Sequence, residues 1–213
     1  MVAGDGIVPP VEVPRTGRRR AETRQRLLDA AFEAFAEEGF GRCSVEQVCE
    51  RAGFTRGAFY SNFTSLEELF LAMWEQRSAR MLSEVRAILD APAATAITDQ
   101  REAVKHVLDA VPLDDKWFRI TSEFTAHALR TPTLRQAMVA REDAIAAALT
   151  PVVVALLERT GRSVPDPRTL GRALVAVHDG TLAQCLLEPD NPEVSAHRVD
   201  LFLQVVRAYS VPV

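Results

Sequence analysis

Apolar residues recur at three- and four-residue spacing along almost the whole chain, and this spacing predicts helices rather than strands. The first helix runs from about Ala21 to Glu38, with Leu27, Leu28, Ala31, Phe32 and Phe35 on one face and Gly39 as its stop. Phe40 is expected to pack back on the same core. Ser44 opens a short helix, because its hydroxyl can accept a backbone N–H left free at the helix start; Gln47 completes the spacing of a capping box. Val45, Val48, Cys49 and Ala52 share its inner face, and Gly53 ends it in a left-handed turn. Thr55 caps the next helix. From Arg56 that helix carries Phe59 and Phe63 inward and leaves Arg56, Gly57, Tyr60, Ser61 and Asn62 at its start or outside. A short helix, a glycine turn and a second helix rich in hydrogen-bonding side chains form the helix-turn-helix pattern.

The remaining helices are longer. Ser65 caps a fourth, with Glu67 and Glu68 favouring the positive end of the helix dipole, and it can extend to about Asp90. At ~1.5 Å per residue such a helix can connect two domains mechanically. Ala91-Pro92 breaks the chain, and residues up to Thr98 read as a loop or weak helix start. Helices are then expected over about 99–111, ended by Pro112, over 114–130, and over 131–160, the last kinked near Ala147–Thr150 by Pro151 inside it and terminated by Gly161. Residues 162–167 read as a loop, followed by helices over about 168–187 and 192–210. No internal repeat and no strand-like alternation stands out. The fold class expected is all-α, with about nine helices in three parts. Residues 1–20 form a disordered basic arm, 21–64 a helix-turn-helix domain, and 65–213 a larger helical domain.

Charge changes this picture in one respect. The formal net charge is −4 and the sequence pI about 5.6, which alone would speak against nucleic acid. Yet six arginines (15, 18, 19, 20, 24 and 26) stand against Glu22 alone in residues 15–26, whereas 27–64 hold three arginines against six acids. Positive charge is therefore concentrated in the arm and the start of the first helix, with Arg56 at the second helix of the motif, and local charge rather than the total governs attraction to phosphate. The three cysteines (43, 49, 185) have neither zinc-like nor redox spacing, and with no secretory signal pattern they suggest free thiols in the cytoplasm. Nothing approaches the ~20 apolar residues that span a bilayer, so no membrane partner is expected.

The run Thr23-Arg24-x-x-Leu-Leu-x-Ala-Ala-x-x-x-Phe35, then Gly39-Phe40, Ser44-Val-x-x-Val, Ala52-Gly-Phe-Thr-Arg-Gly-Ala-Phe-Tyr-x-x-Phe63 and Glu67-Glu-Leu69, resembles the N-terminal domain of TetR-family transcriptional regulators. The resemblance covers residues 20–75, about a quarter of the chain. It implies a DNA-binding regulator whose larger C-terminal domain senses a small molecule and forms a homodimer. One departure stands out: Leu66 occupies a position where the family usually has a phosphate-binding lysine. No DNA contact is assigned to Leu66, and Thr64 or Ser65 is expected to supply a weaker one.

Residue chemistry and resemblance together give candidate sites. Arg56 is the base-reading candidate, because a guanidinium can grip guanine O6 and N7 together, and Thr55 and Gly57 allow close approach. The resemblance implies phosphate or backbone contacts for Thr23, Arg24, Ser44 and Tyr60, and backbone or base contacts for Ser61 and Asn62. Trp117, Phe118, Phe124, Met138, Val175 and His178 suit the apolar lining of an effector pocket, and His127 and His178 could hydrogen-bond an apolar or aromatic effector. Leu182, Leu201, Phe202 and Val205 are candidates for pairing the last two helices across a two-fold axis. His127, His178 and Cys185 lack the i, i+4 spacing of helical metal ligands, so neither metal nor cofactor is expected. No nucleophile elbow, phosphate-binding glycine loop or metal motif is present, which argues against an enzyme. The alternatives are a helical sensor or enzyme domain with a vestigial helix-turn-helix, and a ligand-independent DNA-binding regulator.

Overall fold

The structure, a computed structural model, describes residues 15–89, 97–111 and 113–213. The expectations for residues 1–14, for Ala91-Pro92 and for Pro112 lie outside the described residues. Nine helices are present among them: α1 Arg15–Glu38, α2 Val45–Ala52, α3 Arg56–Tyr60, α4 Leu66–Leu89, α5 Gln100–Ala110, α6 Asp115–Ala128, α7 Pro132–Arg159, α8 Pro167–Leu187 and α9 Pro192–Ala208. None is long and apolar enough to cross a membrane. The chain divides into two compact units: residues up to Glu38 with Arg42–Met73, and Gly39–Gly41 with Trp74–Val213. The division falls within α4 rather than before it.

In the first unit α1 packs on α2, and α2 on α3. Leu27, Leu28, Ala31, Phe35, Val48, Phe59, Phe63, Leu69 and Phe70 are buried. Helix α1 begins at Arg15, so the basic residues 15–20 expected as a disordered arm form its first turns instead. These turns carry no apolar stripe. An Arg18–Glu22 pair one turn apart at 3.2 Å supports them locally, and Arg20 donates to the Ser61 carbonyl at 3.1 Å. Helix α2 starts as the sequence indicates: the Ser44 hydroxyl accepts from the Gln47 N–H at 3.2 Å, and the Gln47 side chain accepts from the Ser44 N–H at 2.8 Å. It ends on Gly53, whose φ of 69° places it in the left-handed region.

The second unit is built by α8 packing on both α7 and α9, with α9 also against α5. One interior cluster joins Val104, Leu157, Leu170, Phe202, Leu203 and Val206. A second gathers Val85, Ala110 and Leu156. Helix α7 runs continuously through Pro151 and stops at Gly161, φ 73°. The expected loop after it contains a strand, β1 Arg162–Ser163, paired antiparallel with β2 Val211–Pro212. Arg162 fastens this ladder, donating to the Ser210 hydroxyl and carbonyl, each at 2.6 Å. The Phe40 ring meets Phe124 edge-on at 4.9 Å and His127 at 5.2 Å, and Phe40 is grouped with the second unit.

Candidate functional site

The exposed side of α3 is assembled from caps and one buried ring. The Thr55 hydroxyl accepts from the Ala58 N–H at 3.3 Å and fixes where the helix begins. Phe59 is fully buried and meets Phe63 at 5.9 Å between ring centroids, so the rotation of α3 is set from inside. Arg56, Gly57, Tyr60 and Ser61 are then exposed, Tyr60 by 49%. Gly57 has ordinary backbone geometry, and an added Cβ would lie 3.6 Å from the Thr55 hydroxyl; its contribution is a bare backbone at the surface, open to close approach. Arg56 sits 2.8 Å from Glu46 of α2, and its guanidinium lies 5.8 Å from the Tyr60 ring. Hydrogen bonding to Tyr60, then the Glu46 carboxylate, makes Arg56 still harder to deprotonate. Glu46 and Tyr60 together keep the guanidinium at the exposed face.

Other candidates are already occupied by local bonds. The Asn62 amide donates to the Ala58 carbonyl at 2.8 Å and to the Ser61 hydroxyl at 3.2 Å, while its buried Oδ1 has no partner. Asn62 thus secures the end of α3. Ser61 donates its own hydroxyl to Ala58 at 2.9 Å. Thr23 donates to the Arg19 carbonyl at 3.0 Å, and Ser44 is engaged in its cap. Arg24 lies over the Phe63 ring at 5.1 Å. Thr64 donates both its N–H (2.6 Å) and its hydroxyl (2.5 Å) to Glu68, whose carboxyl is held below the usual range by those bonds. Ser65 caps α4 by accepting from the Glu68 N–H at 3.2 Å.

Sequence reasoning overlooked Arg26. It donates to the Ala52 carbonyl at 2.7 Å, at the open end of α2, and lies 4.5 Å over the Phe54 ring. Arg20 does the same for the Ser61 carbonyl just past α3. Arginine suits these positions because helix ends leave carbonyls unsatisfied and carry partial negative charge. Two residues first read as long-range attraction for phosphate therefore also brace the helix-turn-helix. Cys43 and Cys49 are buried in this unit, and burial pushes Cys43 up to about 11 and raises Cys49. Both stay protonated thiols, which suits packing and not redox switching.

In the second unit the candidate pocket residues lie in different surroundings. Phe124 is fully buried, 6.1 Å from His127 between ring centroids. Trp117 meets Trp74 edge-on at 6.1 Å and lies under Arg77, which also pairs with Asp114. Phe118 and Val175 are half-buried and Met138 is buried. His178 contacts Arg198 of α9, a residue that sequence reasoning passed over. Of the candidates for pairing, Phe202 is spent within the chain's own core, with Val205 packed against it; Leu182 and Leu201 remain half-exposed.

Two short capped helices around a glycine turn, in a small helical unit, make the helix-turn-helix arrangement found in DNA-binding transcriptional regulators. Residues 27–73 match the family model described as bacterial regulatory proteins, tetR family, and residues 96–209 match that of the BetI-type transcriptional repressor C-terminal domain. The chain belongs to the TetR family, whose members are regulators and not enzymes. It is 29% identical over 170 residues to the transcriptional activator FasR of Mycolicibacterium smegmatis, covering 76% of this chain and 73% of that protein. It is 26% identical over 186 residues to the transcriptional regulator TtgR of Pseudomonas putida, covering 85% and 89%. A TetR-family regulator from Mesorhizobium loti has the same fold, with a TM-score of 0.69 at 19% identity over 90% of this chain and 96% of that one.

Proposed function

We propose that the protein represses transcription by binding a pseudo-palindromic operator as a homodimer, and that a small molecule bound in residues 74–213 releases it. The exposed Arg56–Tyr60 face above buried Phe59 carries this reading. It places a guanidinium, a phenol and a bare glycine backbone on the outer side of a five-residue helix whose rotation is fixed from within. In this role Arg56 leaves Glu46 for a guanine edge, Tyr60 and Arg24 bond phosphate, and the Thr55–Gly57 turn approaches the backbone. Two copies reach successive major grooves ~34–36 Å apart. The family's habit of dimerising supports the pairing, through the half-exposed Leu182 and Leu201 faces of α8 and α9. Repression is favoured by the repressor-type C-terminal match, whereas FasR is named an activator.

The test is selection of bound duplexes from a random library, followed by titration of the winner. Arg56→Ala should cost roughly 10–100-fold at the selected site and flatten preference at one position per half-site, with non-specific binding little changed. Unchanged preference removes Arg56 from the reading role. A reporter carrying the selected site separates repression from activation.

A further inference from the structure

We infer that Arg198, with His178 and Thr181, forms the anion-binding end of an effector site between α8 and α9, and that the effector is a carboxylic acid with an apolar body. The inference rests on residues 74–213 being the sensing unit, and it names the chemistry of the molecule sensed.

Arg198 is only 4% exposed. A buried guanidinium is costly unless an anion answers it, and arginines this buried are nearly always paired. Among the described residues no carboxylate pairs with this one. Its partners are the Thr181 hydroxyl at 3.2 Å, His178 Nδ1 at 3.0 Å and the face of Phe202 at 5.5 Å, and the Cys185 side chain is near enough to act on it. Thr181 gives its own proton to the Val177 carbonyl at 2.7 Å, which leaves its oxygen to accept from Arg198. Asp179, beside His178 on α8, acts on Glu142 of α7, and neither acts on Arg198.

The histidine has a defined polarity. A guanidinium has no lone pair to offer, so His178 Nδ1 is the acceptor and the ring proton sits on Nε2. Burial and the neighbouring cation hold His178 down to about 4, so the ring is neutral at pH 7. Its Nε2–H is a donor that no acceptor takes among the described residues, and the ring is the half-exposed member of the cluster. An anion arriving past the imidazole meets that N–H first and the guanidinium behind it.

The cluster therefore offers one full positive charge and several N–H donors, with no carboxylate on the guanidinium among the described residues. A single carboxylate matches this, since a guanidinium and a carboxylate share planar, charge-assisted geometry. A phosphate monoester would leave excess negative charge desolvated beside Phe202, Val177 and Val199. Val177 and Val199, only partly buried beside that core, favour a hydrocarbon or aromatic body for the rest of the ligand.

The test uses the full chain. Butanoate, octanoate, dodecanoate, benzoate and 2-naphthoate are each compared with their primary amides by thermal shift, and the best acid is then titrated by calorimetry. The expected result is stabilisation by at least one acid and not by its amide, and binding at least about tenfold weaker in Arg198→Met, with Arg198→Lys in between. Methionine fills similar space without charge; if that variant does not fold, Arg198→Lys carries the comparison alone. The inference is overturned if no acid outperforms its amide on the wild-type chain, or if the variants bind the acid equally well. Binding to the selected operator is measured in parallel. An acid that binds without releasing DNA supports this site and removes the release step. Intact operator binding with no preference for acids removes this site and leaves the DNA-binding reading standing.

Discussion

Alanine at Gly171 should loosen the contact between α7 and α8. Gly171 is buried, and a Cβ there would come closer than 3.0 Å to the hydroxyl of Thr150, which is itself only 7% exposed. Thr150 cannot swing away freely, because that hydroxyl donates to the Ala146 carbonyl at 2.6 Å. Overpacking of this kind costs about 1–3 kcal/mol. Replacing a mid-helix glycine returns up to about 1 kcal/mol of helix propensity. The net expected for Gly171→Ala is a loss of about 1–2 kcal/mol, or roughly 2–8 °C in Tm for a chain of this size. The partner change Thr150→Ala deletes the colliding oxygen, so the double variant should recover at least about 1 kcal/mol relative to the sum of the singles. Thermal melts followed by far-ultraviolet circular dichroism give all four corners of the cycle. A neutral single variant, or singles that simply add, would falsify the claim that close backbone approach at Gly171 sets the α7–α8 spacing.

Arg26→Met should remove the bond to Ala52 while keeping a stem over Phe54, cost the chain about 1–2 kcal/mol in urea unfolding, and weaken operator binding without changing base preference. Ser44→Ala should cost about 1 kcal/mol in the same measurement, through loss of the capping box of α2. His178 is held below its unfolded value, so its contribution is intact at pH 7 and is lost as pH falls from about 6.5 to about 4; subtracting the stability profile of His178→Gln should reveal a loss on the order of 2–3 kcal/mol across that window. Cys43, raised from 9.0 to about 11, should alkylate with iodoacetamide at neutral pH roughly 100-fold more slowly than in the urea-unfolded chain.

What could be read directly in the sequence was local. Ser44, Gln47 and Gly53 announce α2 because a cap depends on atoms three or four residues away, and the structure places those bonds as expected. The family resemblance rested on such positions, and both family matches agree with it. What was hidden depends on distant packing. Arg26 and Arg20 look like loose positive charge until the ends of α2 and α3 are brought beside α1. Arg198 reads as one more polar residue of an amphipathic helix until α8 covers it. Phe40 follows α1 in sequence, yet its partners Phe124 and His127 lie more than eighty residues on. The β1–β2 ladder has two residues per strand, too few for any alternation to register.

The edge-to-face pair of Trp74 and Trp117 has an optical consequence. These are the only two tryptophans in the chain, and both belong to the unit formed by Gly39–Gly41 and Trp74–Val213. Excitation near 295 nm therefore illuminates that unit alone, because residues 15–73 contribute no indole emission. With rings 6.1 Å apart, energy passes readily between the indoles, and the Arg77 cation 5.0 Å from Trp117 tunes the colour of the emitted light. The protein thus carries its own dye, sited on α4 and α6, and a binding event that disturbs the Arg77–Asp114 pair would register as a spectral shift without label or DNA.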